Sequence, residues 1–162
     1  MSQFYLFESD RLGFKLVTED DHEYLFLLSL ADPNVWSADF REIKERIKND
    51  IRHFSEKGYG AFLAFEIESG EFVGRAGFGD IQNNEIEVGY VVLEKYRGKG
   101  YATEMLKALL SWAKEHINKD RILSITAINH AASERIMQKS GMAFFKKDKI
   151  DGIDCVIYEY KL

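Results

Sequence analysis

The segment Glu85 to Glu104, EIEVGYVVLEKYRGKGYATE, constrains what this chain can fold into more than any other. Its first half alternates and is rich in β-branched residues, as a half-buried strand is. Its second half opens a helix in which Ala102, Met105, Leu106, Leu109 and Ala113 form one apolar stripe. Between the two lies a basic, glycine-rich turn. The first amides of a helix lack intrahelical acceptors and the helix dipole is positive there, so a strand, turn and helix of this kind hold an anion, most naturally a phosphate. Gly98 and Gly100 allow close main-chain approach, while Arg97 and Lys99 add charge. Other phosphate loops fit worse. GKG is followed by Tyr101, where a nucleoside triphosphate loop needs Lys then Ser or Thr, and no glycine stands three residues after Gly100 as a dinucleotide fingerprint requires. Gly74, Gly77 and Gly79 fall inside a strand pattern, where bulges or close packing account for them.

The rest of the chain reads as one α+β unit spanning 1–162. Arg11 to Val17 is a strand, and Thr18 with Asp21 signals a helix that runs to Leu30 and is stopped by Pro33. Asp39 or Ser37 caps a second, highly charged helix ending at Gly58. From Ala61 three consecutive antiparallel strands follow, with turns at Ser69–Gly70 and Asn83–Asn84. After the helix that begins near Gly100 come a strand from Arg121 to Ile128 and a short helix capped by Asn129 or Ser133 and ended by Gly141. A final hairpin turns at Asp151 and Gly152. The order is strand, two helices, three strands, helix, strand, helix, two strands: about seven strands and about four helices in a mixed, mostly antiparallel sheet.

Charge and cysteine content narrow the function. With 22 Lys and Arg against 27 Asp and Glu, the chain is acidic, and its dense basic clusters, Lys95–Lys99 and Lys146–Lys149, are short. Nucleic-acid binding, which relies on a strongly positive surface, loses ground. The lone Cys155 closes no intrachain disulfide, and no Cys or His set has zinc spacing, so no metal is expected. The longest apolar stretch, Tyr24 to Leu28, is far short of the ~20 residues that span a bilayer. A reducing, cytoplasmic setting with no membrane partner is the expectation.

Arg97, Gly100 and Ala102 match the R/Q-x-x-G-x-G/A signature of the GNAT acetyltransferase superfamily, which the order of elements also resembles from end to end. The opening ESDRLGFKLVTEDD, the DPNV element at Asp32–Val35, EVGYVVLEKYRGKGYATE and SERIMQKSGM bring the resemblance closest to the branch of ribosomal-protein alanine N-acetyltransferases, the RimJ/RimL-like enzymes. This resemblance implies a sheet whose fourth and fifth strands splay to admit acetyl-CoA. It implies that the backbone of Val91, Val92 and Leu93 pairs with the pantetheine arm, and that the amides of Arg97, Gly98, Lys99, Gly100, Tyr101 and Ala102 hold the pyrophosphate. Asn129 or His130 faces pantetheine across the cleft. Met137 occupies the position of the tyrosine that many relatives use to protonate the leaving thiolate.

Acetyl transfer needs a neutral amine, and a carboxylate is the natural base. Glu85 and Glu87, two apart, share one strand face, and Glu87 matches the family's glutamate. Both can equally be solvated charges. Ser133 is either the missing acid or a helix cap, and Tyr90 is a further donor. Trp36 and Phe40 line the acceptor pocket or pack in the core. The implied activity is direct transfer from acetyl-CoA to a primary amine, on a protein N-terminus or a small molecule. A non-catalytic acyl-CoA binding or sensing module is the alternative, and the last hairpin offers an edge for a homodimer.

Overall fold

Residues Phe62, Leu63, Ala64 and Phe65 are consecutive, and all four are fully buried. Because side chains alternate across a strand, this sheet is apolar on both faces and needs a layer on each. The structure, a computed structural model that describes residues 4–162, supplies both layers. In chain order its elements are β1 (Phe7–Glu8), β2 (Leu12–Leu16), α1 (His22–Ala31), α2 (Phe40–Lys57), β3 (Ala61–Glu66), β4 (Phe72–Ile81), β5 (Glu85–Val92), α3 (Tyr101–His116), β6 (Arg121–Ala127), α4 (Ala131–Lys139), β7 (Ala143–Ile150) and β8 (Ile153–Lys161). Leu25, Leu28, Ile43 and Ile47 of α1 and α2 pack on Leu63, Phe65 and Phe72. On the other face Met105, Leu106 and Leu109 of α3 and Met137 of α4 meet Phe62, Ala64 and Val88.

The sheet order is β1-β2-β3-β4-β5-β6-β8-β7, and β5 with β6 is its one parallel pair. About seven strands were expected and eight are present among the described residues. The addition is β1, whose two residues pair with Phe14 and Gly13 and are too short to leave a period in the sequence. The hairpin turns fall where the residue types put them: Asn83, Asn84, Asp151 and Gly152 all adopt positive φ. Gly74 meets a stricter demand, since a Cβ there would come within 2.0 Å of the Val91 carbonyl oxygen. No helix of the described residues is long and apolar enough to cross a membrane.

Helix ends show where local signals are decisive. Asp39 Oδ1 accepts from the amides of Arg41 (2.9 Å) and Glu42 (3.0 Å), and Gly58 closes α2 at φ 77°. Ser37 supports the cap by accepting from Asp39 N–H at 3.0 Å. Asp21 behaves differently from a cap: its Oδ2 accepts from Thr18 N–H (2.7 Å) and Lys15 Nζ (2.5 Å), bracing the loop before α1. At α4 the expectation of Asn129 or Ser133 as cap is corrected. His130 occupies the N-cap position without a side-chain cap bond, Asn129 turns the chain just before it at φ 76°, and Ser133 lies inside the first turn. Replacing Asp39 with Ala removes two amide partners, so denaturant unfolding should show a loss of about 1 kcal/mol; an unchanged midpoint would show that Ser37 takes over the cap.

Candidate active site

Strands β5 and β6 pair at one position, Glu87 with Leu123, and then separate. Each is fully paired on its outer side: β5 against β4 from Glu85 to Val92, and β6 against β8 from Arg121 to Ala127. Leu93 N–H donates to the Val73 carbonyl at 2.9 Å, so by alternation the main chains of Val91 and Leu93 turn toward β4. The groups turned toward the gap are those of Val88, Tyr90 and Val92. Two side chains confirm the direction, Ser124 Oγ donating to Val88 O (3.2 Å) and Arg97 Nε to Val92 O (3.1 Å). Of the three residues expected to present backbone there, Val92 does so, Val91 and Leu93 do not, and Tyr90 joins it.

The turn from Arg97 to Ala102 closes one end of this gap. Gly98 and Gly100 adopt φ 73° and 83°, a conformation that side-chain-bearing residues rarely adopt. Gly100 is the N-cap of α3, whose first main-chain bond runs from Glu104 N–H to Gly100 O, leaving the amides of Tyr101, Ala102 and Thr103 at the start without helical acceptors. Arg11 locks the turn in place: its Nη1 donates to Lys99 O (3.0 Å), its Nε pairs with Glu104 (2.7 Å), and its guanidinium lies 4.1 Å from the Tyr101 ring centroid. The Tyr101 hydroxyl donates to Glu66. At the far side of the gap, His130 Nδ1 is 3.2 Å from Thr126 Oγ1, and Asn129 holds the turn.

On the α1/α2 face of the sheet, a cleft of about 850 Å³ is floored by β4 and β5 and roofed by α2 and the segment around Trp36. The inward-facing positions between Arg75 and Glu87 are Gly77, Gly79 and Gly89. A Cβ at Gly79 or Gly89 would meet nothing within 4 Å, so these two glycines leave the floor bare, whereas Gly77 abuts the Gly60 carbonyl. Bulges and close packing therefore account for Gly74 and Gly77 but not for Gly79.

Glu87 lines this cleft half-buried, and burial alone raises its carboxyl above the ordinary glutamate range. No described residue donates a hydrogen bond to it. Glu85 is placed elsewhere: Arg121 binds it at 2.5 Å and Glu159 at 3.0 Å, and the trio borders a separate, smaller cavity. The Tyr90 hydroxyl is buried with no hydrogen-bond partner of ordinary geometry. Burial raises its pKa, and the neighbouring Ser133 hydroxyl partly opposes that rise. Met137 is in the core. Trp36 lines the cleft, but Phe40 does not; it packs edge-on against His22, with Lys44 over its ring.

Several cleft residues escaped sequence reasoning. Arg75 Nη2 pairs with Asp50 Oδ2 at 2.7 Å, and Arg75 and Arg46 both stack on the Trp36 indole. Burial pulls Arg75 down to about 10, and Asp50 opposes that shift. Burial also raises Asp50 despite Arg75 beside it. His53 Nε2 and the Tyr59 hydroxyl meet Asp80 at 3.3 and 2.5 Å, and burial together with that bond pushes Tyr59 up to about 12. The available signal was an arginine in the otherwise apolar FVGRAGFG, with Arg46 and Asp50 one turn apart on a helix.

A carboxyl whose pKa is raised by folding opposes folding once it is ionised in both states. Glu87→Gln should therefore raise the melting temperature at neutral pH. The gain should disappear below about pH 4, where the parent carboxyl is protonated folded and unfolded. Equal melting temperatures at pH 7 would mean that Glu87 is better solvated than its surroundings indicate.

The match to known proteins follows the same lines. Residues 11–143 match the acetyltransferase (GNAT) domain family. Over 163 aligned residues the chain is 28% identical to the uncharacterized protein YkkB of Bacillus subtilis, covering 94% of each. Its fold is similar to that of a putative GnaT-family acetyltransferase from Bordetella pertussis, with a TM-score of 0.85 at 19% identity, covering 94% of this chain and 97% of that one. It is also similar to that of RimL, the ribosomal L7/L12 alpha-N-protein acetyltransferase, solved in complex with coenzyme A, with a TM-score of 0.78 at 18% identity over 95% and 96% of the two chains. A parting β5–β6 pair, a glycine-capped α3 at its mouth and a family match over most of the chain lead to one statement: this protein belongs to the GNAT acetyltransferase family.

Proposed function

We propose that the protein is an acetyl-CoA-dependent N-acetyltransferase that passes the acetyl group directly to a primary amine held in the cleft beside Glu87. The observation that carries this reading is that one strand, β5, bears near its start a half-buried carboxylate with no hydrogen-bond partner among the described residues, Glu87, and leads from its far end into an N-cap glycine turn suited to a pyrophosphate. Acetyl-CoA supplies an activated acyl group as a thioester. Tyr101, Ala102 and Thr103 amides with the Gly98–Gly100 turn hold its pyrophosphate, Arg97 and Lys99 add charge, and the Tyr90 and Val92 main chain meets the pantetheine amides.

Glu87 takes the proton from the ammonium form of the acceptor, and its raised pKa suits it to that task. As the new C–N bond forms and the C–S bond breaks, the acylated nitrogen sheds its second proton to water, which restores the proton of the group that donates, and the sulfur leaves as a thiolate that needs a proton. With Met137 unable to donate, the buried Tyr90 hydroxyl beside Ser133 is the donor on the opposite face of the same strand. Glu85, neutralised by Arg121, has no part in this scheme. A protein N-terminus and a small-molecule amine are both compatible with the cleft's size.

Calorimetric titration should give saturable binding of acetyl-CoA and none of ATP or NAD. Gly100→Val, forced out of φ 83°, should weaken acetyl-CoA binding about tenfold or more. Unchanged affinity would remove the turn from the cofactor site. With an accepted amine, Glu87→Gln should lower kcat about 100-fold or more. It should also erase the acid limb of the pH profile, which in the parent falls as pH drops through a value above the ordinary glutamate pKa. A parent-like rate with an intact acid limb would assign the base to another group.

A further inference from the structure

The cleft carries a charge arrangement that the transfer chemistry does not use. Arg75 is 8% exposed and lies in the middle of β4. One of its nitrogens is paired with Asp50, and its Nε is buried without a partner among the described residues. A second guanidinium, Arg46, stacks on the same indole, the two carbons lying 4.4 and 4.7 Å from its centroid. Asp50 is the one carboxylate ion-paired to either of them among the described residues. Arg46 is exposed and Asp32, Asp80 and Glu87 also line the cleft, so what sets Arg75 apart is its burial with one donor unused, not a net positive charge. An unpaired buried N–H costs free energy that a ligand can recover.

We propose that the acceptor is a primary amine that also carries a carboxylate, and that Arg75, backed by Arg46, receives this carboxylate at the end of the cleft opposite Glu87. The inference rests on the transferase reading and adds the acceptor's class. The planar guanidinium fork matches a carboxylate, and Nε supplies the donor that the protein leaves unused. Arg75 pairs with Val91 and Glu87 with Gly79, so the two groups share one sheet face and stand four residues apart, about 13 Å along the main chain. The bare floor at Gly79 and Gly89 lets an extended molecule lie between them. Its amine then meets the negative end and its carboxylate the positive end. A polyamine would bring a second cation to the two arginines and is disfavoured. The carboxylate can be the α-carboxylate of an amino acid or short peptide, or an acidic side chain close behind a protein's N-terminal amine.

The test uses matched acceptor pairs with the intact protein and acetyl-CoA. One arm compares amino acids with their α-amides; the other compares N-terminal tetrapeptide amides bearing Asp or Asn at the second or third position. Thiol release gives kcat/KM, and calorimetry of the CoA-bound protein gives affinity. In one arm or the other the carboxylate member should be favoured about tenfold or more. The ratio should fall to within about twofold in the double variant Arg75→Gln/Asp50→Asn, which leaves no charge stranded. Should that variant fail to fold, Arg46→Gln, at an exposed position, should still reduce the preference while the Arg75–Asp50 pair persists. Equal or absent binding across all pairs, a preference for the uncharged member, or a ratio unchanged in both variants would overturn the proposal. Thiol release without a carboxylate preference would overturn it and leave the transferase standing. Arginine-dependent carboxylate binding without thiol release would support the anion site and overturn the transferase reading.

Discussion

The parting of β5 from β6 after one shared residue pair is the constraint on which the rest of the structure depends. A parallel pair that stayed together would satisfy its own main chain and leave nothing for a ligand. Here the two strands diverge while each remains fully paired on its outer edge, β5 with β4 and β6 with β8. The opening therefore costs only the few peptide groups that face it, and Ser124 and Arg97 cover two of the carbonyls. The same divergence explains the placing of α3. Its N-terminus arrives at the mouth of the gap because the chain leaves β5 there, and Arg11 from the neighbouring β1–β2 connection pins the turn from outside.

The cleft on the α1/α2 face has a second origin, which is compositional. Glycines at alternate inward positions remove the side chains that would otherwise fill the space between sheet and roof, so the cavity exists by omission. What lines it is then charged. Asp50, Arg75 and Glu87 are each shifted by burial in the direction that disfavours the ionised form. Acidic groups nearer the surface behave in the opposite way: Glu66 and Glu71, held by Ser69, Tyr101 and Tyr96, are lowered. The contrast marks the part of the cleft around Asp50, Arg75 and Glu87 as poorly solvated, whereas the exposed Asp80, bonded by Tyr59, is lowered like the surface groups.

Much of this was legible in the chain itself, and the exceptions share a cause. Periodicity located the helices and the longer strands, and residue types located the turns at Asn83–Asn84 and Asp151–Gly152, because each is decided within a few residues. The two-residue β1 is too short for a period, and the start of α4 offered several polar candidates without a local criterion to choose among them. Glu85 and Glu87 are indistinguishable by spacing. What separates them is Arg121, 36 residues further on, which occupies one and ignores the other. Arg75 and Asp50 are likewise ordinary residues until β4 and α2 bring them together. Long-range pairing, not local pattern, is what the sequence alone withheld.

Desolvation links these observations to chemistry. A carboxylate in open water abstracts a proton poorly from an ammonium ion because its basicity is too low; moving it into a half-closed cleft raises that basicity without any covalent change. The same displacement of water strengthens the pull of the buried Arg75 guanidinium at the other end of the cleft, where its attraction for an anion is less screened. Glu87 and Arg75 lie on one sheet face across a floor of glycine, and each is made more demanding by the same loss of solvent. The proposed acceptor, with a positive and a negative end, answers both demands at once, and its binding would dry the cleft further around the carboxylate proposed as base.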